Sequence, residues 1–236
     1  MKIHGSIALV TGANRGMGRH FAEQLLERGA AKVYAAARNP ESIDLPEAEP
    51  IRLDITDPVS VAVVAKAASD VTLLINNAGI STRENLVAGQ EAGIRQEMET
   101  NYYGPLNMVR AYAPILAAGG GGAILNILSV LSWLSPGGMA NAYAASKAAA
   151  WSLTNGVRLE LAAQGTQVTG LHVAGVDTDM LADMDVPKSD PADIAKAGLD
   201  GIESGALEVL ADRDTVKIKA ALSADPIALY PELAAE

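Results

Sequence analysis

Tyr143 and Lys147 offer this sequence's most direct chemistry. On a helix, residues four apart share one face. An ammonium near a phenol favours the phenolate and lowers its pKa from a reference of about 10. Such a pair can give a proton to an oxygen or take one from it. The same spacing also suits an ordinary helix face. A second constellation opens the chain. Residues 7–10 form a short apolar run, and Gly12, Ala13, Asn14, Arg15, Gly16, Met17 and Gly18 form a glycine-rich turn. Phe21, Ala22, Leu25 and Leu26 then recur at helical spacing, and Gly29 marks a helix end. Strand, glycine turn and helix is a geometry that binds phosphate. Glycine allows close backbone approach, and unpaired N–H groups at a helix N-terminus attract an anion. The spacing is G-x-x-x-G-x-G rather than G-x-G-x-x-G, and such turns also occur without a ligand.

The next strand candidate, Lys32–Ala37, ends at Arg38. In dinucleotide folds, an acidic residue here binds a free ribose 2′-hydroxyl, whereas an arginine accommodates a 2′-phosphate. Arg38 stands at that place with no acid beside it, and Arg15 supplies a second cation. Both can make forked hydrogen bonds to phosphate. The expectation is a preference for NADP (NADPH), against the alternative that both arginines are solvated surface.

Those residues must be positioned by regular elements. Residues 50–53, 71–75, 123–127, 168–173 and 207–210 read as further strands. The 71–75 run is almost continuously apolar, as in a buried parallel strand. Helical patterns cover 58–69, 96–116, 141–163, 191–204 and 213–222, with Pro58 at a first helical position. Residues 81–95 read as a polar loop, and 224–236 as an irregular C-terminal tail. Asn101 falls mid-helix despite poor propensity, which suggests that its side chain is needed. Asn76, Asn77, Ala78 and Gly79 suit a tight turn after the fourth strand. Strands alternating with helices favour an α/β fold: a single-domain, Rossmann-type, doubly wound parallel seven-stranded sheet with helices on both faces. The domain is expected to span residues 1–236.

Composition narrows the function. The chain has 236 residues and a formal net charge of −10. That acidity disfavours a nucleic-acid surface and an anionic membrane. The absence of cysteine excludes disulfides and thiolate ligands or nucleophiles. The three histidines are scattered, so no metal is expected. No run reaches the roughly 20 apolar residues of a membrane span, and the start lacks a signal-peptide core. A cytoplasmic protein is expected.

Taken together, the motifs resemble the short-chain dehydrogenase/reductase family over residues 5–211. Thr11-Gly-x-x-x-Gly-x-Gly18, Asn76-Asn-Ala-Gly79, Asn101, Ser129 and Tyr143-x-x-x-Lys147 stand in family order. The resemblance implies that Tyr143 exchanges a proton with the substrate oxygen. Lys147 would lower the tyrosine pKa and bind the nicotinamide ribose, and Ser129 would polarise the carbonyl. Asn101 would hold a water in a proton relay behind Lys147. Gly12, Gly16 and Gly18 would frame the pyrophosphate, with Asp54 and Ile55 at the adenine. Asn76 and Ala78, with Gly79 beside them, would border the adenosine ribose. Val176 and Thr178 would contact the nicotinamide end. The implied partner is a small-molecule carbonyl or alcohol, and the implied assembly is a homo-oligomer, tetramer or dimer, built on the helices carrying Asn101 and Tyr143. Trp151 would lie in that interface or pack on the sheet.

Three departures from the family pattern stand out. Ala174 replaces a usual proline, Leu128 replaces a small residue, and Ser129 lies fourteen residues before Tyr143, one more than is common. Ser132 is therefore the alternative hydroxyl. Ser81, the 130–139 loop and the 180–190 segment are expected to line the substrate pocket; Leu131, Trp133, Leu134 and Met139 make that loop apolar, with packing in the core or in a subunit contact as the equal alternative. Their character points to a moderately apolar ketone or aldehyde, reduced to its alcohol or formed from it by a carbonyl reductase. A non-catalytic dinucleotide-binding regulator and an isomerase or lyase are the alternatives.

Overall fold

In the computed structural model, which describes residues 1–230 and Leu233, seven strands form one parallel sheet. They are β1 (Ile7–Thr11), β2 (Lys32–Ala37), β3 (Glu49–Arg52), β4 (Leu73–Asn76), β5 (Ala123–Ile127), β6 (Gln167–His172) and β7 (Glu208–Leu210), in the order β3-β2-β1-β4-β5-β6-β7. Apolar runs make the central strands because both sheet faces are covered. Along β1, Ala8 and Val10 point to one face and Leu9 to the other, as the period of two requires. On the first face lie α1 (Gly16–Glu27) and α6 (Pro191–Ser204), through Phe21, Leu25, Ile194 and Leu199. On the second lie α2 (Pro58–Ala67), α4 (Gly104–Ala118) and α5 (Asn141–Glu160), through Val61, Val64, Met108, Tyr112 and Val157. The remaining helices are α3 (Glu91–Met98) and α7 (Arg213–Ala221).

The strand order reverses between β1 and β4. A crevice opens at such a switch point, beyond the carboxyl ends of the strands. Among the described residues, no helix is long and apolar enough to cross a membrane.

Two elements differ from the sequence expectation. The helix expected from residue 96 begins at Glu91, inside the presumed loop 81–95, and is broken at Glu99–Tyr103 by a π-helical turn. There the Gly104 amide donates to Glu99 O, one residue further back than an α-helix allows. The tail expected to be irregular makes a short 3₁₀ turn, Pro226–Ala228, capped by Asp225. Tyr230 then accepts a hydrogen bond from the Ser135 amide at 3.1 Å. Residues 231, 232 and 234–236 of that tail lie outside the described residues.

Candidate active site

The crevice is a cleft of about 400 Å³ above the ends of β1, β2 and β4. Gly12, Asn14, Arg15, Gly16 and Met17 line it, as do Arg38, Asp54, Ile55, Ala78, Gly79 and Thr178. Gly12 and Gly16 have φ of +67° and +52°, which favours glycine at both. Gly18 works from beneath: a Cβ there would lie 2.1 Å from Gly12 O. It therefore permits the close packing of turn and helix rather than bordering the cleft. Asp57, Asp190 and Asp212 cap α2, α6 and α7 with their side chains. The N-terminus of α1 has no such cap and no acid in its first turn among the described residues, so its amides suit an anion.

The rim carries the two cations. Arg15 pairs with Asp179 at 2.8 Å, both side chains 70% exposed. A pair so exposed contributes little and exchanges readily for another anion. Arg38 is exposed at the cleft edge. Asp54 Oδ1 accepts from the Thr56 amide and hydroxyl at 2.9 and 2.7 Å. The Thr56 hydroxyl chiefly holds the Asp54 carboxyl below its usual range, and Arg38 adds a smaller pull. The glycine turn, open helix end and cation rim fit a dinucleotide phosphate.

Two expected cleft residues lie elsewhere. Asn76 is buried in the sheet, and its Nδ2 donates to Asn126 Oδ1 at 2.9 Å. Asn77, which the sequence reading passed over as a turn residue, is the asparagine at the cleft. Its Nδ2 donates to Thr11 O and Gly12 O, tying β4 to the glycine turn. The residues alternate across the strand end, so one asparagine faces the core and its neighbour the turn. Val176 is also buried and pairs with Ser189 in a β-bridge, so it supports the cleft wall from behind.

Beyond Gly79 the character changes to buried polar side chains. A Cβ on Gly79 would lie 3.1 Å from Asn101 Oδ1 and 3.7 Å from Lys147 Nζ. Gly79 thus separates the cleft from Lys147 by one backbone thickness. Asn101 brackets Ile80: Oδ1 accepts from Ile80 N and Nδ2 donates to Ile80 O, each at 2.9 Å. The π-helical turn carries this carboxamide, which explains an asparagine inside a helix. Its Nδ2 also donates to Ser146 Oγ at 2.9 Å.

Lys147 is buried, and its Nζ donates to Ile127 O at 2.9 Å, 5.6 Å from the Tyr143 ring centre. Burial pushes its pKa down to about 8. Tyr143 departs from the sequence expectation. Burial pushes the phenol up to about 12, the Ser129 hydroxyl beside it acts in the opposite direction, and the Glu97 charge adds to the rise. Desolvation of the phenolate outweighs the helical neighbour, whose ammonium is turned to Ile127. Glu97 is itself wholly buried, and its Oε1 accepts from the Thr82 amide.

The two candidate serines have different work. The Ser132 hydroxyl accepts from the Ser129 amide at 3.2 Å, and the Ser129 hydroxyl accepts from the Leu131 amide at 3.1 Å. Ser132 closes the turn, while Ser129 stands next to the Tyr143 phenol. Trp133 takes the inward of the two places expected for it. It stacks on His172 at 3.8 Å, and Trp151 meets it edge-on at 6.2 Å. Met139, Met180, Met184 and Val186 remain as exposed apolar groups of the substrate-side loops. Arg83 ties its own segment to the 180–186 loop through a forked pair with Asp183.

The chain is similar to known proteins over most of its length. The family model described as short chain dehydrogenase matches residues 6–188. A 3-oxoacyl-[acyl-carrier-protein] reductase FabG of Vibrio cholerae is 35% identical over 191 residues, 76% of this chain and 77% of that protein. A gluconate 5-dehydrogenase of Gluconobacter oxydans is likewise 35% identical, over 75% of this chain and 74% of its own. A short chain dehydrogenase from Burkholderia cenocepacia J2315, solved in complex with NADP, has a TM-score of 0.94 at 40% identity and covers 100% of both chains.

Proposed function

The chain belongs to the short-chain dehydrogenase/reductase family, and from that premise we propose an NADP(H)-dependent oxidoreductase, working as one domain, that interconverts a moderately apolar ketone or aldehyde and its alcohol. The observation that carries the reading is the meeting at Gly79, where the dinucleotide-shaped cleft ends against Lys147. Arg38 and Arg15 at the rim support the phosphorylated cofactor, as does the NADP complex of the Burkholderia relative. The exposed Met139, Met180, Met184 and Val186 support an apolar substrate.

A bound nicotinamide supplies or accepts the hydride. The chain moves the proton. Tyr143, protonated at neutral pH, donates its phenolic hydrogen to the substrate oxygen during reduction and takes it back during oxidation. The Ser129 hydroxyl hydrogen-bonds the same oxygen as negative charge builds on it. Lys147 is charged below about pH 8 and opposes the cost of forming the phenolate. Reduction is therefore level below about pH 8 and declines above it as the ammonium is lost. Asn101 holds the Ile80 peptide and so keeps the cleft floor in place. Exposed Tyr103 and Leu159, near Asn101 and on α5, support a homo-oligomer built on those helices, which light scattering measures.

A carbonyl and alcohol panel run with NADPH and NADH tests the reading through the reduced-nicotinamide absorbance. Tyr143→Phe is expected to lower kcat by about 10²–10⁴-fold with NADPH binding intact. Undiminished turnover in Tyr143→Phe would exclude the assigned acid. NADPH binding without turnover across the panel would favour a regulator, and turnover without absorbance change an isomerase or lyase.

A further inference from the structure

His172 ends β6 and is wholly buried, yet the proton path does not use it. Its Nδ1 lies 3.1 Å from Ser129 O. Its Nε2 faces Glu208 at 3.4 Å and makes no hydrogen bond among the described residues. A carbonyl oxygen can only accept, so this contact requires a hydrogen on Nδ1. Lys219 occupies both Glu208 oxygens, at 3.0 and 2.9 Å, which satisfies the carboxylate without a second imidazole proton. The groups facing the ring thus come from three elements: Glu208 on β7, Lys219 on α7 and Lys147 on α5.

The ring plane is held as firmly as its tautomer. Trp133 stacks on it at 21°, Trp151 closes on Trp133, and Lys219 Nζ lies 4.7 and 5.5 Å from the two indole centres. One donor on a fixed ring is therefore aimed at one carbonyl. On either side of it, Leu128 N and Val130 N donate to Leu171 O and Val173 O, each at 2.7 Å. Ser129 itself has left the strand, and its carbonyl accepts from Ser132 N and the imidazole.

We infer that His172 is a positioning residue for Ser129: through Nδ1–H it fixes the Ser129 peptide and hence the direction of the hydroxyl. The inference rests on the role proposed above for Ser129. Small displacements of a group aimed at a reacting atom reduce turnover far more than they reduce binding.

Two variants separate the hydrogen bond from the packing. His172→Phe keeps a ring against Trp133 and loses the donor. His172→Asn loses the ring and keeps an N–H near the place of Nδ1. The expected result is about a tenfold fall in kcat for His172→Phe, with the KM for NADPH unchanged, and recovery to within about threefold of the parent for His172→Asn. Wild-type kcat in His172→Phe, or an asparagine variant no faster than the phenylalanine one, would overturn the inference. Nitrogen NMR of the unmodified protein gives a reading that needs no variant to fold: a hydrogen on Nδ1 agrees, and an Nδ1 without one overturns it. Ser129→Ala distinguishes the levels. If it keeps full turnover, the reading of Ser129 fails and this inference with it; if it loses turnover while His172→Phe does not, the inference alone fails.

Discussion

The two ends of the crevice are built from different materials. At β1 and α1 the chain shapes the site with missing side chains. Gly12 and Gly16 turn where other residues are strained, and Gly18 lets two backbone segments touch. There Gly12 and Gly16 line the cleft with backbone alone. Around β5, α5 and β6 the site is shaped by side chains locked onto buried backbone groups: Lys147 on Ile127 O, Asn101 on Ile80, Ser132 on Ser129 N and His172 on Ser129 O. In the reading proposed above, the first construction holds the cofactor's phosphates, which can accept hydrogen bonds from several directions and so need little angular precision. In that same reading, the second aims a hydroxyl and a phenol at one atom, which demands groups with fixed directions.

The contrast predicts where each kind of damage appears. The largest effect is expected from Gly18→Ala. Its Cβ would press 2.1 Å from Gly12 O, and a backbone atom cannot swing aside. We expect a stability loss of roughly 1–3 kcal/mol or more in a chemical melt, together with loss of most NADPH affinity. A variant with unchanged melting and binding would mean that the turn is looser than the packing implies.

Next come the serines, which break the comparison inside the second region. Ser129→Ala is expected to cost about 10²–10³ in kcat and, because the part-buried Leu131 amide loses its acceptor, about 1 kcal/mol of stability at most. Ser132→Ala strands the buried Ser129 amide and is expected to cost about 1–3 kcal/mol of stability with a smaller change in kcat. The reverse pattern would exchange their roles. The smallest effect belongs to the exposed rim. Arg38→Ala is expected to weaken NADPH about tenfold and leave NADH unchanged, as titration of each cofactor would measure. Equal weakening of both would remove the 2′-phosphate from its role.

Much of this was legible in the sequence. The glycine turn announces itself because backbone freedom is a property of residue type, and the strands because burial on both faces requires continuous apolar runs. Asn101 stood out for the same reason, as a poor helix former inside a helix. Other features depended on neighbours distant in the chain. Asn76 and Asn77 are adjacent and chemically identical, and the pairing of Asn76 with Asn126 across β4 and β5 decides which one faces the core. Trp133 reads equally as a pocket or a packing residue until Trp151 and His172 are brought against it. His172 itself gave no signal beyond being one of three histidines.

Sequence alone determined the alternation of strands and helices, the phosphate-shaped turn and the four-residue interval between phenol and ammonium, since each follows from residue type and local periodicity. Only the tertiary structure decided the electrostatics at that interval. The phenol is raised by burial because the layers that cover it come from separate parts of the chain, and desolvation depends on everything that excludes water. Strand register and burial are long-range quantities, and no local spacing encodes them.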